Sequence, residues 1–464
     1  MNLLVIGNGL DLDLGLPTKY TDFLKFTSAF EFSVGSNIDE VNKIDEFDTQ
    51  NVYYAIYSRY EKFNSINLEN QYQELKATLE LFEKSFENKF INKACKDFLY
   101  CVHNNCWIKY FNERYEKKLI SGENWIDIEN EIQNVIHIFE DKSRFQIIDE
   151  KNNAIIDTNF NYTDNLDIQE IINKLFSGEL TLFVDDYKKF KRLLLKDYDK
   201  FVMALGIYLN FFVSQLPIKI ETASRELQNM INGENFPTID YVLSFNYINN
   251  FKHTGSLKNT CFVHGEINYM AELKKCISAN MNDNDKVNMK IENLISRNKI
   301  IIGFDDLQSD EENFELEFVD YRKYFQRIYK GTDSQYVDYL NEYTFGLKRA
   351  FEIQQAKENF IKPNSNLDYE KFIEEKTIFS DRVPNRVFIF GHSLDATDNE
   401  IFRDIFLREF NDTKVTIFYH DSDARKRIIT NLIRILTKPT FIQKTKGKNP
   451  DIKFIEQTYN SIVL

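Results

Sequence analysis

Turn-forming residues are scarce in this chain. Its 464 residues include only 15 Gly and seven Pro, which favours long helices over tight turns. Cysteine is thin as well. Cys95, Cys101, Cys106, Cys261 and Cys276 form an odd set with no C-x-x-C pair. That argues against a disulfide framework and a four-cysteine zinc site, and points to a reducing cytoplasm. No apolar run reaches the roughly 18 residues of a membrane span, and the N-terminal stretch, which opens directly on a strand, is not expected to be a signal peptide. Basic residues are outnumbered, 58 Lys and Arg against 72 Asp and Glu, for a formal net charge of −14. Non-specific binding to nucleic acid or to an anionic membrane is therefore disfavoured. A P-loop string is missing, which disfavours an NTPase, and no clear metal-ligand cluster is seen, so no metal is expected. What the chain has in quantity is aromatic bulk, 41 Phe and 25 Tyr, enough for large cores in two or three domains.

The most informative stretch is the first two dozen residues. Leu3-Leu4-Val5-Ile6 is a short apolar run of the kind buried on both faces of a parallel sheet. It stops at Gly7-Asn8-Gly9, where two glycines allow a tight turn and close approach of a phosphate. Leu10 to Leu14 then reads as the opening of a helix, whose N-terminal end suits an anion. Gly15-Leu16-Pro17-Thr18 breaks that helix and restarts the chain. Strand, glycine turn and helix are the parts of a dinucleotide-binding α/β unit.

The strand pattern returns late. Tyr241 to Phe245 ends in Asn246-Tyr247, Thr260 to Val263 leads to His264-Gly265, and Lys299 to Phe304 carries a glycine turn at Gly303. Arg386 to Phe390 ends in Gly391-His392-Ser393-Leu394, and Val415 to Tyr419 ends in His420-Asp421. Residues beyond the C-terminal ends of parallel strands are where such folds bind ligands. Thr397-x-x-Glu400 reads as a capping box around Asp398, and Ser422 as a cap for the next helix. The basic run from Arg425 to Lys448 reads as a solvated helix face. The expected architecture is α/β, a Rossmann-like parallel sheet assembled from residues 1–24, 239–312 and 380–464.

Between these pieces the periodicity is helical. Leu75, Leu79, Phe82, Phe86 and Phe90 share one helix face, as do Phe190, Leu194, Tyr198, Phe201 and Leu205. Residues 25–238 are expected to be a large helical insertion with these stripes as core, interrupted by a polar loop or β excursion at Lys142–Asp164. A second, smaller insertion or lid is expected over 313–379. Trp125-Ile126-Asp127-Ile128-Glu129 opens a helix, where acidic residues suit the dipole.

The glycine spacing resembles the first nucleotide motif of the sirtuins, G-A-G-x-S-x-x-x-G-I-P-D-F, with Gly7, Asn8, Gly9, Asp11, Gly15, Leu16 and Pro17 in register. The longer string through Tyr20, Asp22, Phe23 and Leu24 is more similar still to the AbiH family of abortive-infection proteins. That family resembles this chain also in the Trp-x-Asp-x-Glu element and in His392, which stands where sirtuins have Thr in G-T-S-L. The resemblance implies a sirtuin-like fold and NAD as substrate. It implies Asn246 on the ribose or the attacking water, His264 as general base, and Asp11 on a ribose hydroxyl or developing positive charge. Gly7, Asn8, Gly9, Gly15, Pro17, Thr18, Tyr20, Gly391, His392, Ser393 and Asp398 would then line the cofactor, with Tyr419 or His420 near the adenosine. The missing zinc ribbon sets this chain apart from protein deacetylases. The implied activity is NAD hydrolysis to nicotinamide and ADP-ribose in phage defence. Two other readings stay open, a sensor of NAD or an ADP-ribose-like nucleotide, and a hydrolase of another N-glycoside. A phage-derived trigger and a homo-oligomer are the partners that such an effector implies.

Overall fold

The structure, a computed structural model, describes residues 2–34, 88–122, 126–140, 184–216, 218–233, 236–248, 260–266, 269–277, 290–304, 316–332, 337–338, 341, 386–395, 398–407 and 413–459. Six strands form one sheet: β1 (Asn2–Ile6), β2 (Tyr241–Ser244), β3 (Thr260–Phe262), β4 (Arg386–Phe390), β5 (Lys414–Tyr419) and β6 (Ile452–Glu456). Every pairing is parallel and the order is β3-β2-β1-β4-β5-β6. That is the order of a doubly wound, Rossmann-like sheet, with its switch point between β1 and β4. It is common to dinucleotide-binding α/β folds and does not single out the sirtuin arrangement.

Alternation along the strands sends side chains to two cores. Leu4 and Ile6 join Phe388, Phe390 and Phe418 on one face, under the helical part of the chain. Leu3 and Val5 join Val387, Ile389, Val415 and Ile417 on the other, covered by α11 (Asn399–Leu407) and α12 (Ser422–Leu436). Burial on both sides explains why the sequence shows these strands as unbroken apolar runs.

The first face is packed by helices that enter between strands: α1 (Asn8–Asp13), α2 (Tyr20–Val34), α3 (Asn88–Val102), α4 (Cys106–Ile120), α5 (Ile128–Glu140), α6 (Val184–Ile207) and α7 (Arg225–Asn232). Leu194, Tyr198, Phe201 and Leu205 of the expected stripe are buried. Phe26, Phe30, Phe98 and Phe212 pack ring against ring nearby. Helix α2 runs through residue 24, so the division set there falls inside a helix. After β3 come α8 (Tyr269–Ile277), α9 (Ile291–Ser296) and α10 (Lys323–Lys330); α13 (Lys438–Thr445) precedes β6. The stripe from Leu75 to Phe86, the side chains of Phe90 and Phe190, the stretch Lys142–Asp164, Trp125, and Thr397 of the capping box lie outside the described residues.

Three local expectations are corrected. Residues 299–304 are not a sheet strand. Their backbone is satisfied by a loop and a side chain instead, with Ile301 N–H donating to the His264 carbonyl (2.9 Å) and Ile302 N–H to Gln326 (3.2 Å). The sixth strand is β6, an edge strand of which Ile452 alone is buried, so no apolar run marks it. Helix α12 is capped by Asp421, which accepts from Ala424 N–H (2.7 Å), and Ser422 is its first residue.

Beyond β6 the chain crosses to α7 and α1. Gln457 donates to Asp13 (3.2 Å) and Ser224 (3.1 Å), and Thr458 binds Glu226 through backbone N–H and hydroxyl. No described helix is long and apolar enough to cross a membrane. Cys95, Cys101 and Cys106 are free thiols.

Candidate functional site

The loops after β1 and β4 interlock at the switch point. Gly7 N–H donates to the Phe390 carbonyl (3.0 Å) and Gly9 N–H to the Gly391 carbonyl (2.8 Å). A Cβ on Gly9 would lie 2.7 Å from the Gly391 Cα, so only glycine permits this approach. Two of the amides expected to cradle a phosphate are thus taken by the neighbouring loop. The turn between them is braced by Thr18, whose hydroxyl donates to Asn8 Oδ1 (2.5 Å) while Asn8 Nδ2 donates to the Thr18 carbonyl (3.3 Å).

From α1, Asp11 points inward and is buried. It accepts from Asn246 Nδ2 (3.1 Å), just past β2. A carboxylate only accepts, so this contact fixes the amide orientation and leaves Asn246 Oδ1 buried without a partner.

His264, just past β3, is buried too. Gly265 after it (φ +78°) holds the turn, and a Cβ there would strike the Lys299 carbonyl, so glycine lets residues 299–301 lie against the His264 loop. His264 Nε2 lies 3.3 Å from Asp398 Oδ1, at the start of α11. Its Nδ1 is buried with no partner. His392 Nδ1 accepts from Leu394 N–H (2.9 Å), so its ring proton is on Nε2, which faces Asp398 Oδ2 at 3.6 Å. Phe245 packs on both imidazoles, with ring centroids 5.4 Å from His264 and 4.3 Å from His392.

Two cations complete the cluster. Lys323, on α10 and fully buried, contacts the same Asp398 Oδ1 (3.2 Å) and Glu129 of α5 (2.9 Å). Arg327, one turn on, reaches Asp398 at 3.6 Å. Burial works against the Asp398 carboxylate, but Lys323 first, then His264 and His392, outweigh it and hold the group well below the usual carboxylate range. Burial lowers His264 to about 4, opposed by Asp398 and reinforced by Lys323. Burial pushes Glu129 up to about 7, with Lys323 opposing. Lys323 itself is held above its ordinary value, because Asp398 and Glu129 outweigh the cost of burying it. Tyr20 and Tyr247 are hydrogen-bonded beside Glu129, and the Tyr247 hydroxyl also donates to the Ile301 carbonyl (3.2 Å). Asp127 accepts from Asn130 N–H (3.1 Å) at the start of α5.

The fold therefore gathers Asp11, Tyr20, Glu129, Asn246, His264, His392 and Asp398 from six places in the chain. Other expected residues serve elsewhere. Gly15 (φ +77°) packs on Lys219, the Pro17 carbonyl accepts from Tyr208, and the Ser393 carbonyl accepts from Asn431. Tyr419 contacts Glu456 and Arg425, and His420 is exposed beside Asp421. Lys323 and Arg327 escape the sequence reading. Their signal is two of the three cations on an eight-residue helix, spaced four apart, a pattern that usually marks a solvated face.

At neutral pH the cluster presents a neutral imidazole whose Nε2–H is committed to Asp398, leaving the Nδ1 lone pair available as a base. Asn246 Oδ1 is a second unsatisfied acceptor. Each of the two can accept from an O–H donor. Among the described residues no group of His, Cys, Asp and Glu has the arrangement of a metal site. A family model described as "Bacteriophage abortive infection AbiH" matches residues 3–420, a span that holds the whole cluster. No curated protein and no solved structure matches the chain.

Proposed function

The chain belongs to the AbiH family, and from that premise we propose that it is an effector of bacteriophage abortive infection that hydrolyses the nicotinamide–ribose bond of NAD. The observation that carries the reading is the pair of buried acceptors without partners, Asn246 Oδ1 and His264 Nδ1, at the C-terminal edge of the sheet. A ribose and an attacking water offer O–H donors to both. Cleavage of the C1′–N bond leaves the electron pair on nicotinamide, which departs neutral, and positive charge grows on the ribose. Asp11 supplies negative charge for that transition state. Water adds at C1′ as its proton passes to His264 Nδ1, giving ADP-ribose. Asp398 holds the imidazole in the required tautomer and stabilises the imidazolium that forms. The interlocked glycine loops stand at the switch point, where the dinucleotide would lie.

The test is NAD consumption by purified protein, resolved by chromatography, beside His264→Ala and Asn246→Ala. Nicotinamide and ADP-ribose released by the native chain and lost in both variants is the expected result. Steady NAD in infected cells that the protein still protects would overturn it. Binding without turnover would make the site a sensor, and release of a different base would make it a hydrolase of another N-glycoside.

A further inference from the structure

His264 Nε2 and Lys323 Nζ approach one and the same oxygen, Asp398 Oδ1, at 3.3 and 3.2 Å. Two donors with positive character on one oxygen compete for its charge. The second carboxylate on Lys323 comes from the helical part of the chain, Glu129 of α5 at 2.9 Å. A chain of contacts thus runs from α5 through α10 to the loop after β4 and on to the imidazole past β3. We propose that Lys323 is a positioning residue that keeps His264 in its basic, neutral form by sharing Asp398, and that Glu129 sets how much of Lys323 is available for this. The proposal rests on the reading of His264 as the base, and it makes the helical insertion a regulator of the site through one ion pair.

The neighbours of the imidazole account for this. From the start of α11 it meets Asp398 directly; Lys323 and Arg327 of α10 act on it electrostatically and, like His392, contact the same Asp398. From the segment after β2 it faces Tyr247, ring to ring at 6.1 Å, and Glu129 contacts Lys323. Asp398 is the one carboxylate in direct contact among these. An Asp398 free of Lys323 would bind an imidazolium and draw a proton onto His264, ending its use as a base. With Lys323 on the shared oxygen the attraction is divided, and a neutral ring with Nε2–H suffices. Burial of the ring acts in the same direction. A Glu129 moved towards Lys323 would loosen its hold on Asp398, and one moved away would tighten it.

The test is histidine ring nitrogen NMR on the full chain, with the His264 signals assigned by their loss in His264→Gln. The native protein should show neutral His264, protonated on Nε2, down to at least pH 6. In Lys323→Met the His264 titration should move up by about 1–3 pH units, and the acid limb of any turnover should move with it. Lys323→Arg should restore the native signature. If Lys323→Met does not fold, the double variant Glu129→Gln/Lys323→Met removes both charges of that pair together and should show the same upward shift. A His264 that titrates as in the native chain in either folded variant overturns the proposal. The nitrogen spectrum reads the ring whether or not NAD is cleaved, so an inactive protein with the expected shifts would count against the NAD reading alone.

Discussion

Asp398 is the residue on which most of the site turns. It receives His264, His392, Lys323 and Arg327, so Asp398→Asn should remove the anchor of the tautomer. Any turnover should fall on the order of ten-thousandfold, measured beside His264→Ala to check that the two losses do not add. Two residues give the site opposite pH responses. His264, depressed to about 4, is neutral in both states above about pH 6.5. Below that the unfolded chain binds a proton that the fold refuses, so stability is lost as pH falls towards 4. Glu129, raised to about 7, is protonated in both states below about pH 4.5, and its contribution is lost as pH rises through 7. The two slopes oppose each other between roughly pH 4.5 and 6.5. Glu129→Gln should expose the loss on acidification and His264→Gln the gain, each up to about 1.4 kcal/mol per pH unit, in denaturant melts at pH 5 and 6.5. Equal slopes in the two variants would show that these groups do not govern the dependence.

At the scale of elements, α10 and the paired glycine loops carry the arrangement. Helix α10 is anchored at its start by Arg322, which binds Glu140 at 2.6 Å with little of either side chain exposed. Arg322→Ala should cost on the order of 3 kcal/mol and also weaken any turnover, because Lys323 follows directly. Gly9→Ala would place a methyl against the Gly391 backbone and should cost about 1–3 kcal/mol. Chemical denaturation read by circular dichroism checks both. The sequence made several of these elements legible. Strands β1, β2, β4 and β5 are buried on both faces and read as apolar runs, and Asn246 and His264 stand at strand ends where ligands are expected. Edge strand β6 carried no such signal, and the apolar run at 299–304 proved to be packing against the His264 loop. Asp398 was expected both as a first-turn carboxylate and beside the cofactor, but not as the partner of His264, which is distant in sequence. Lys323 and Arg327 were invisible as site residues because their partners, Glu129 and Asp398, lie far away in sequence and only the tertiary fold joins them.

At the scale of the whole molecule, the tail beyond β6 ties the far end of the described chain to the beginning. Gln457 holds Asp13, two residues from Asp11 on α1, and Thr458 holds Glu226. Removing residues from 457 onward should lower the unfolding midpoint and raise hydrogen exchange at α1 before it rises in β1, β2 and β4. Uniform exchange throughout would show that the tail does not hold α1 in place.

The order of the sheet also governs when the protein can first act. Its central strand, β1, is the first to be synthesised, yet its neighbours begin at residues 241 and 386, and the carboxylate that orients His264 is at 398. At a ribosomal rate of about 5–20 residues per second, β1 waits some tens of seconds with both edges unpaired. No nascent fragment shorter than that can assemble the cluster. A half-made chain therefore carries no assembled cluster, and its first strand leaves both edges open to pairing with other chains until its neighbours arrive.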